Sequence, residues 1–289
     1  MIAPTTTADV STTLRSRRFS LMSLFASEPL FAATALCLSF FLLVTIPAMF
    51  LDARLFQGEN VWIKPIKFQV AIIVYLLTLA FFARWLPPGF TGRRSYRLYA
   101  QVAVFTMIAE LVWIGGAAVF GIASHFNISS PLMGSLYSLM GLFAVILTSV
   151  SLVYGIAIWR NGQSSLDPAL RLSIALGLCL TFVLTVPVAS TLAGSLNHFV
   201  GTPLTGATVP IMGWSREVGD LRVAHFFATH AMHFVPVIGL VIISVLKLLK
   251  SPKPPTAQVF VWLTSLAFVG FVVFTFLQAL GGQPLVPLP

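Results

Sequence analysis

The chain has 289 residues, 57% of them hydrophobic and only 9% charged. An average soluble domain carries about 25% charged residues, so there is too little charge to coat a water-facing surface, and a soluble enzyme or a nucleic-acid-binding domain is excluded. The net charge of +9 then reads as membrane topology information, because cationic loops are retained on one side of a bilayer.

Residues 1–28 form a polar tail rich in Thr and Ser, expected to be disordered as far as about Arg18. Seven apolar stretches follow, over 30–51, 66–86, 98–122, 131–159, 170–194, 223–248 and 257–280. Each is close to or above the roughly 20 residues that a helix needs to cross a bilayer. The runs are continuous and lack the alternation of barrel strands. The predicted fold is therefore all-α: one seven-helix transmembrane bundle over 29–281 and a short tail at 282–289. The first stretch is longer than the apolar core of about 7–15 residues in a signal peptide and is expected to stay as a span. Cys37 and Cys179 both sit inside apolar runs, which offers neither a disulfide framework nor a zinc ribbon.

Twelve cations fall at one set of span ends: Arg15, Arg17, Arg18, Arg84, Arg93, Arg94, Arg97, Arg160, Arg171, Lys247, Lys250 and Lys253. Five fall at the other: Arg54, Lys64, Lys67, Arg216 and Arg222. The positive-inside rule places the first set, and the N-terminus, in the cytoplasm, with the C-terminus outside. In a bacterium that is the inner membrane, with the second set facing the periplasm. The outer set is nearly balanced by Asp52, Glu59, Glu217 and Asp220, and all five histidines lie in the outer half.

Candidate site residues follow in chain order. Lys64 and Lys67 open the second span, where the helix N-terminus already carries positive partial charge. Arg222 opens the sixth span in the same way; an anionic ligand would account for these cations, and the alternative is lysine snorkelling to lipid phosphate with Arg222 salt-bridged to Asp220 or Glu217. Glu110, midway through the third span, is a costly place for a carboxyl and a functional candidate by default. His125 and Asn127 lie in the outer loop after that span. The long segment 196–222, with His198, several glycines and prolines and Trp214 as an aromatic anchor, is expected to cap the outer mouth. The sixth span opens with Asp220, Arg222 and His225. At 100° per residue, Arg222, His225, Thr229 and His233 share a face about 80° wide, while His230 is displaced by about 140° from His225. Glu110 and His233 lie at similar depths, about 15–18 Å from the outer ends of their helices, so a pair between them is geometrically possible. His198, His225 and His230 are the candidate metal ligands, and a bis-histidine haem would need two at one depth. No cofactor follows from these spacings.

The segments Val61–Phe68, Ser124–Asn127, Gly213–Ser215 and Gly219–Phe226, followed by His230, resemble those of a group of bacterial multi-pass membrane proteins that has no assigned activity. The likeness runs from Asp52 to Pro236 and implies a fold but no reaction. In that pattern an amide tends to occupy the position of His233, which favours His225 and His230 over a Glu110–His233 relay. Other seven-helix groups fit poorly: the last span, 257–280, contains neither the lysine of a retinal Schiff base nor a zinc-binding histidine pair.

The expected function is a periplasm-facing polar pocket that binds, and could transform, a small anionic or amphipathic molecule. Lys64, Lys67 and Arg222 would hold charge with His125, Asn127, His198 and Trp214 around them; Glu110, His225, His230 and Asp220 are the candidate catalytic groups. A proton-coupled transporter using Glu110 and a non-catalytic scaffold are the alternatives.

Overall fold

A computed structural model describes residues 21–56, 58–249 and 254–288. The expected tail over 1–18 lies outside those residues, as do Arg15, Arg17, Arg18, Lys250 and Lys253. In chain order the elements are α1 (Leu21–Ser27), α2 (Pro29–Leu51), β1 (Leu55–Phe56), β2 (Glu59–Asn60), α3 (Ile63–Phe82), α4 (Arg94–Phe120), α5 (Pro131–Arg160), α6 (Pro168–Gly194), β3 (Phe199–Val200), β4 (Gly219–Asp220), α7 (Leu221–Thr229), α8 (Ala231–Leu248) and α9 (Pro254–Leu280). Seven helices are long and apolar enough to cross a membrane, and they correspond one for one to the seven predicted runs. The chain is a multi-pass membrane helix bundle.

The bundle is polar where it is closed and apolar where it is open. Val112 is 69% exposed and Leu266 68%, a pattern that suits acyl chains and not water. Gln69, Thr106, Glu110, Ser151, Ser173 and Thr181 point inward instead. Hydrocarbon offers polar groups no partner, and the amide and hydroxyls among these find one within the protein. Gln69 does so by donating to the Leu38 carbonyl at 2.8 Å and holding the Thr45 hydroxyl at 2.9 Å, which ties α3 to α2.

Helix α6 is central, packing against α5, α7, α8 and α9. Its small residues allow that closeness: a Cβ on Gly177 would lie 2.8 Å from Pro236 Cδ and 2.9 Å from the Ala231 carbonyl oxygen. The main core, including Phe31, Leu76, Met107, Tyr154, Leu178 and Met232, joins α2 through α6 to α8. A smaller one, with Ala228, Val235, Phe268 and Val272, joins α7 and α8 to α9.

The sixth span differs from its expected single run over 223–248. It breaks at His230, which ends α7 and precedes α8 with φ −95° and ψ 7°. At the break the Met232 N–H donates to the Thr181 hydroxyl of α6 at 2.9 Å, so a neighbouring helix satisfies the freed donor.

At the arginine-rich end, Glu28 sits between α1 and α2 and is 3% exposed. Tyr96 donates to its Oε2 at 2.5 Å, and the Tyr96 and Tyr154 hydroxyls are 2.6 Å apart. Burial raises the Glu28 pKa above the usual carboxylate range, and the two tyrosine hydrogen bonds oppose that rise. This cluster pins α2, α4 and α5 together at one end. Sequence reading passes over it because its members lie far apart along the chain.

Candidate functional site

At the histidine-rich end, the connection between α2 and α3 is folded by side chains. Asn60 donates to the Asp52 carbonyl at 2.6 Å and accepts from the Trp62 N–H at 2.9 Å. Asp52 in turn takes the Arg54 guanidinium at 2.6 Å and the Trp62 indole N–H at 3.0 Å. These contacts fix where α3 begins. Trp62, at its start, offers no side-chain cap, and with Pro65 lacking an N–H the donors of its first turn are those of Ile63 and Lys64, beside the helix's positive partial charge.

Lys64 stands in that first turn, half-buried. Among the described residues the ion pairs are Arg54–Asp52 and Arg222–Asp220, and Lys64 and Lys67 have none. A Cβ on Gly213 of segment 196–222 would lie 3.9 Å from Glu59 Oε1 and 4.0 Å from Lys67 Nζ, so this segment reaches the start of α3.

His125 joins Lys64 from the loop after α4. Its ring is 5.4 Å from that of Phe68, one turn after Lys64, and its Nδ1 is 3.2 Å from the Ser124 hydroxyl. Burial pushes its pKa down to about 3, with the Lys64 ammonium the next cause and His225 a smaller one. Asn127 turns back on its own loop, accepting from Ser129 and donating to the Ala123 carbonyl. His198 packs at 4.0 Å on Phe199. Burial lowers its pKa to about 4, followed by the Arg222 charge, while Asp220 pulls the other way and Lys64 adds to the lowering. Lys64, His125, His198 and Arg222 therefore share one electrostatic neighbourhood.

Asp220 and Arg222 are committed to each other. Asp220 is 1% exposed, accepts from the N–H groups of Ser215 and Arg222 at 2.9 and 3.0 Å, and so caps α7. The Arg222 guanidinium grips both of its oxygens, at 2.9 and 2.7 Å, and donates to the Gly213 carbonyl at 2.6 Å. A Cβ on Gly219 would lie only 1.9 Å from the Ala279 carbonyl oxygen, so β4 lies directly on the end of α9.

Segment 196–222 is tied down throughout. Strands β3 and β4 pair as Phe199↔Asp220 and Val200↔Gly219. Trp214 packs 5.4 Å from Phe226 and 6.1 Å from Phe227. Glu217 accepts from the N–H groups of Leu204, Thr205 and Ala207. The Thr205 hydroxyl, together with those N–H groups, holds its pKa down at about 2. Among the described residues, the non-glycines with left-handed backbone are Phe126, Leu196 and Ile211, at φ 60°, 53° and 68°. All three lie in loops at this end, and such strain collects at functional sites.

Deeper in, the predicted residues separate. His225 Nδ1 is buried without a partner among the described residues. His230 stacks on Phe226 at 4.2 Å. His233 does not pair with Glu110: its Nε2 is 2.9 Å from the Thr78 hydroxyl of α3. Glu110 is 7% exposed, and its carboxyl makes no hydrogen bond among the described residues. Thr78 is a residue that sequence reading missed, although a lone hydroxyl within an apolar run is the available signal. Among the described residues no three His, Cys, Asp or Glu side chains converge as a metal-binding group. A lipid-facing groove between α2 and α4, at Thr34, Cys37 and Phe41, and a shallow recess beside Glu217 and Gln283 contain none of the predicted ligand-binding residues.

No family model, curated protein or solved structure matches this chain. The reading of the site therefore rests on its own geometry.

Proposed function

We propose that the chain is a bacterial inner-membrane protein that binds a small anion at its histidine-rich, periplasm-facing end. One observation carries the reading: Lys64 stands without a counter-ion at the uncapped start of α3, with His125 and His198 beside it. A half-buried cation at the positive end of a helix dipole is unfavourable by itself. An anion reverses the sign of both terms, because the helix N–H groups and the ammonium then act together. Lys67 adds charge at the rim. His125 and His225 offer hydrogen bonds on the inner side. The Asp220–Arg222 pair is used internally, and in this reading it positions the cap through the Gly213 carbonyl and leaves the ligand to the lysines.

The test is ligand-induced thermal stabilisation in detergent, with inorganic phosphate and a short-chain phosphatidic acid as probes. A ligand that binds only the folded state raises its melting temperature. Wild type is expected to respond to at least one probe. Lys64→Ala should need about ten times more of it, a loss of about 1.4 kcal/mol, with an unchanged melting point in its absence. Lys247→Ala, at the opposite end, should behave as wild type. An unaltered response in Lys64→Ala would refute the site.

A further inference from the structure

The broken sixth span holds His230 and His233, and hydrogen bonds fix which nitrogen of each ring carries the proton. His230 Nδ1 is 2.7 Å from the Phe226 carbonyl oxygen. A carbonyl can only accept, so Nδ1 is the donor and Nε2 of the neutral ring keeps its lone pair. His233 Nε2 is 2.9 Å from the Thr78 hydroxyl, whose own proton goes to the Val74 carbonyl at 2.7 Å. The threonine oxygen therefore accepts, the proton sits on Nε2, and Nδ1 of His233 keeps its lone pair. That Nδ1 is buried with no partner among the described residues, and a buried unpaired acceptor requires an explanation. The two rings are 5.4 Å apart between centroids.

We propose that His230 Nε2 and His233 Nδ1 together hold one copper(I) ion inside the membrane. Each imidazole has one nitrogen tied as a donor to a carbonyl or hydroxyl and the other left basic, which is how metal-binding histidines are oriented by their surroundings. Metal–nitrogen bonds of about 2 Å put each ring centre about 3 Å from the ion, so rings 5.4 Å apart bracket it in a bent arrangement and would part by about 1 Å to make the two bonds linear. The ligand count selects the metal. No third His, Cys, Asp or Glu joins the pair among the described residues, so the four protein ligands of structural zinc, or three and a water, are not provided. Monovalent copper is soft, accepts imidazole and is satisfied by two nitrogens. With two neutral ligands it also brings the least charge into a low-dielectric interior. His225, one element earlier, lies within electrostatic reach of both His125 on the outer side and His230 at the break, but it completes no three-ligand group with the pair. The proposal does not rest on the anion site.

The experiment uses the full chain in detergent under anaerobic reducing conditions, titrated with copper(I) against a chromophoric bicinchoninate chelator. Wild type is expected to withhold one equivalent per chain. His230→Gln and His233→Gln should each abolish the retention, with gel filtration reporting that the fold is kept. Thr78→Val, which removes only the oxygen that orients His233, should weaken binding about tenfold. Lys247→Ala, at the opposite end of the bundle, should retain wild-type affinity. Wild-type protein that withholds no copper, or His230→Gln and His233→Gln variants that withhold as much as wild type, would overturn the site.

Discussion

Lys64 and Arg222 read alike in the sequence, as cations at helix starts on the side that cations avoid, yet their surroundings separate them. Arg222 has Asp220 two residues before it and closes on that carboxylate through two nitrogens. Lys64 has no acid within four residues, and the pairing that would neutralise it is missing. The same neighbourhood sets the protonation of its histidines. His125 and His198 are lowered to about 3 and about 4, first by burial and next by Lys64 and Arg222 respectively. The unfolded chain binds those protons below about pH 6.5, and the folded chain does not until pH 4 or lower. Stability is therefore complete above pH 6.5 and falls as the pH drops toward 4. Melting temperatures in detergent should decline from just below pH 7, less steeply in His125→Asn and least in His125→Asn with His198→Asn. Equal slopes in all three proteins would contradict this assignment.

At the scale of elements, the seven spans are legible because long apolar runs have one stable solution in lipid. The break in the sixth is not legible. Pro236 marks a bend in the sequence, but the interruption falls at His230, where the Thr181 hydroxyl waits on α6 to receive the Met232 N–H. Gly177, one turn away, leaves room for Pro236. A partner supplied by another helix leaves no mark in the local pattern, and for the same reason Thr78 and the Glu28–Tyr96–Tyr154 cluster escaped notice. Removing that partner should show its weight. Thr181→Val keeps the shape and strands a buried donor, an expected loss of about 1–3 kcal/mol and several degrees of melting temperature. Thr191 returns its hydroxyl to Pro187 in its own exposed turn, so Thr191→Val should shift melting by a degree at most. Equal effects in the two variants would mean that the break does not depend on α6.

Across the whole molecule, the two ends use charge differently. One gathers Arg93, Arg94, Arg97, Arg160, Arg171 and Lys247 around the ends of the helices, with Asp167 spent on capping α6. The other interleaves both signs: Asp52 holds Arg54, Asp220 holds Arg222, and Glu59 lies close to Lys67 across Gly213. Lysines and arginines near span ends resist translocation whether or not acids lie beside them, so the end with more of them should remain in the cytoplasm. Seven spans then place the C-terminus on the far side. Alkaline phosphatase fused after Asn127, or at the C-terminus, should be active, and fused after Gln163 it should be inactive; a fluorescent protein, which matures only in the cytoplasm, should give the reverse. The inverted result would turn the uncapped start of α3 and Lys64 toward the cytoplasm. The geometry of the anion site would survive that outcome, but its ligand would then be sought among cytoplasmic anions.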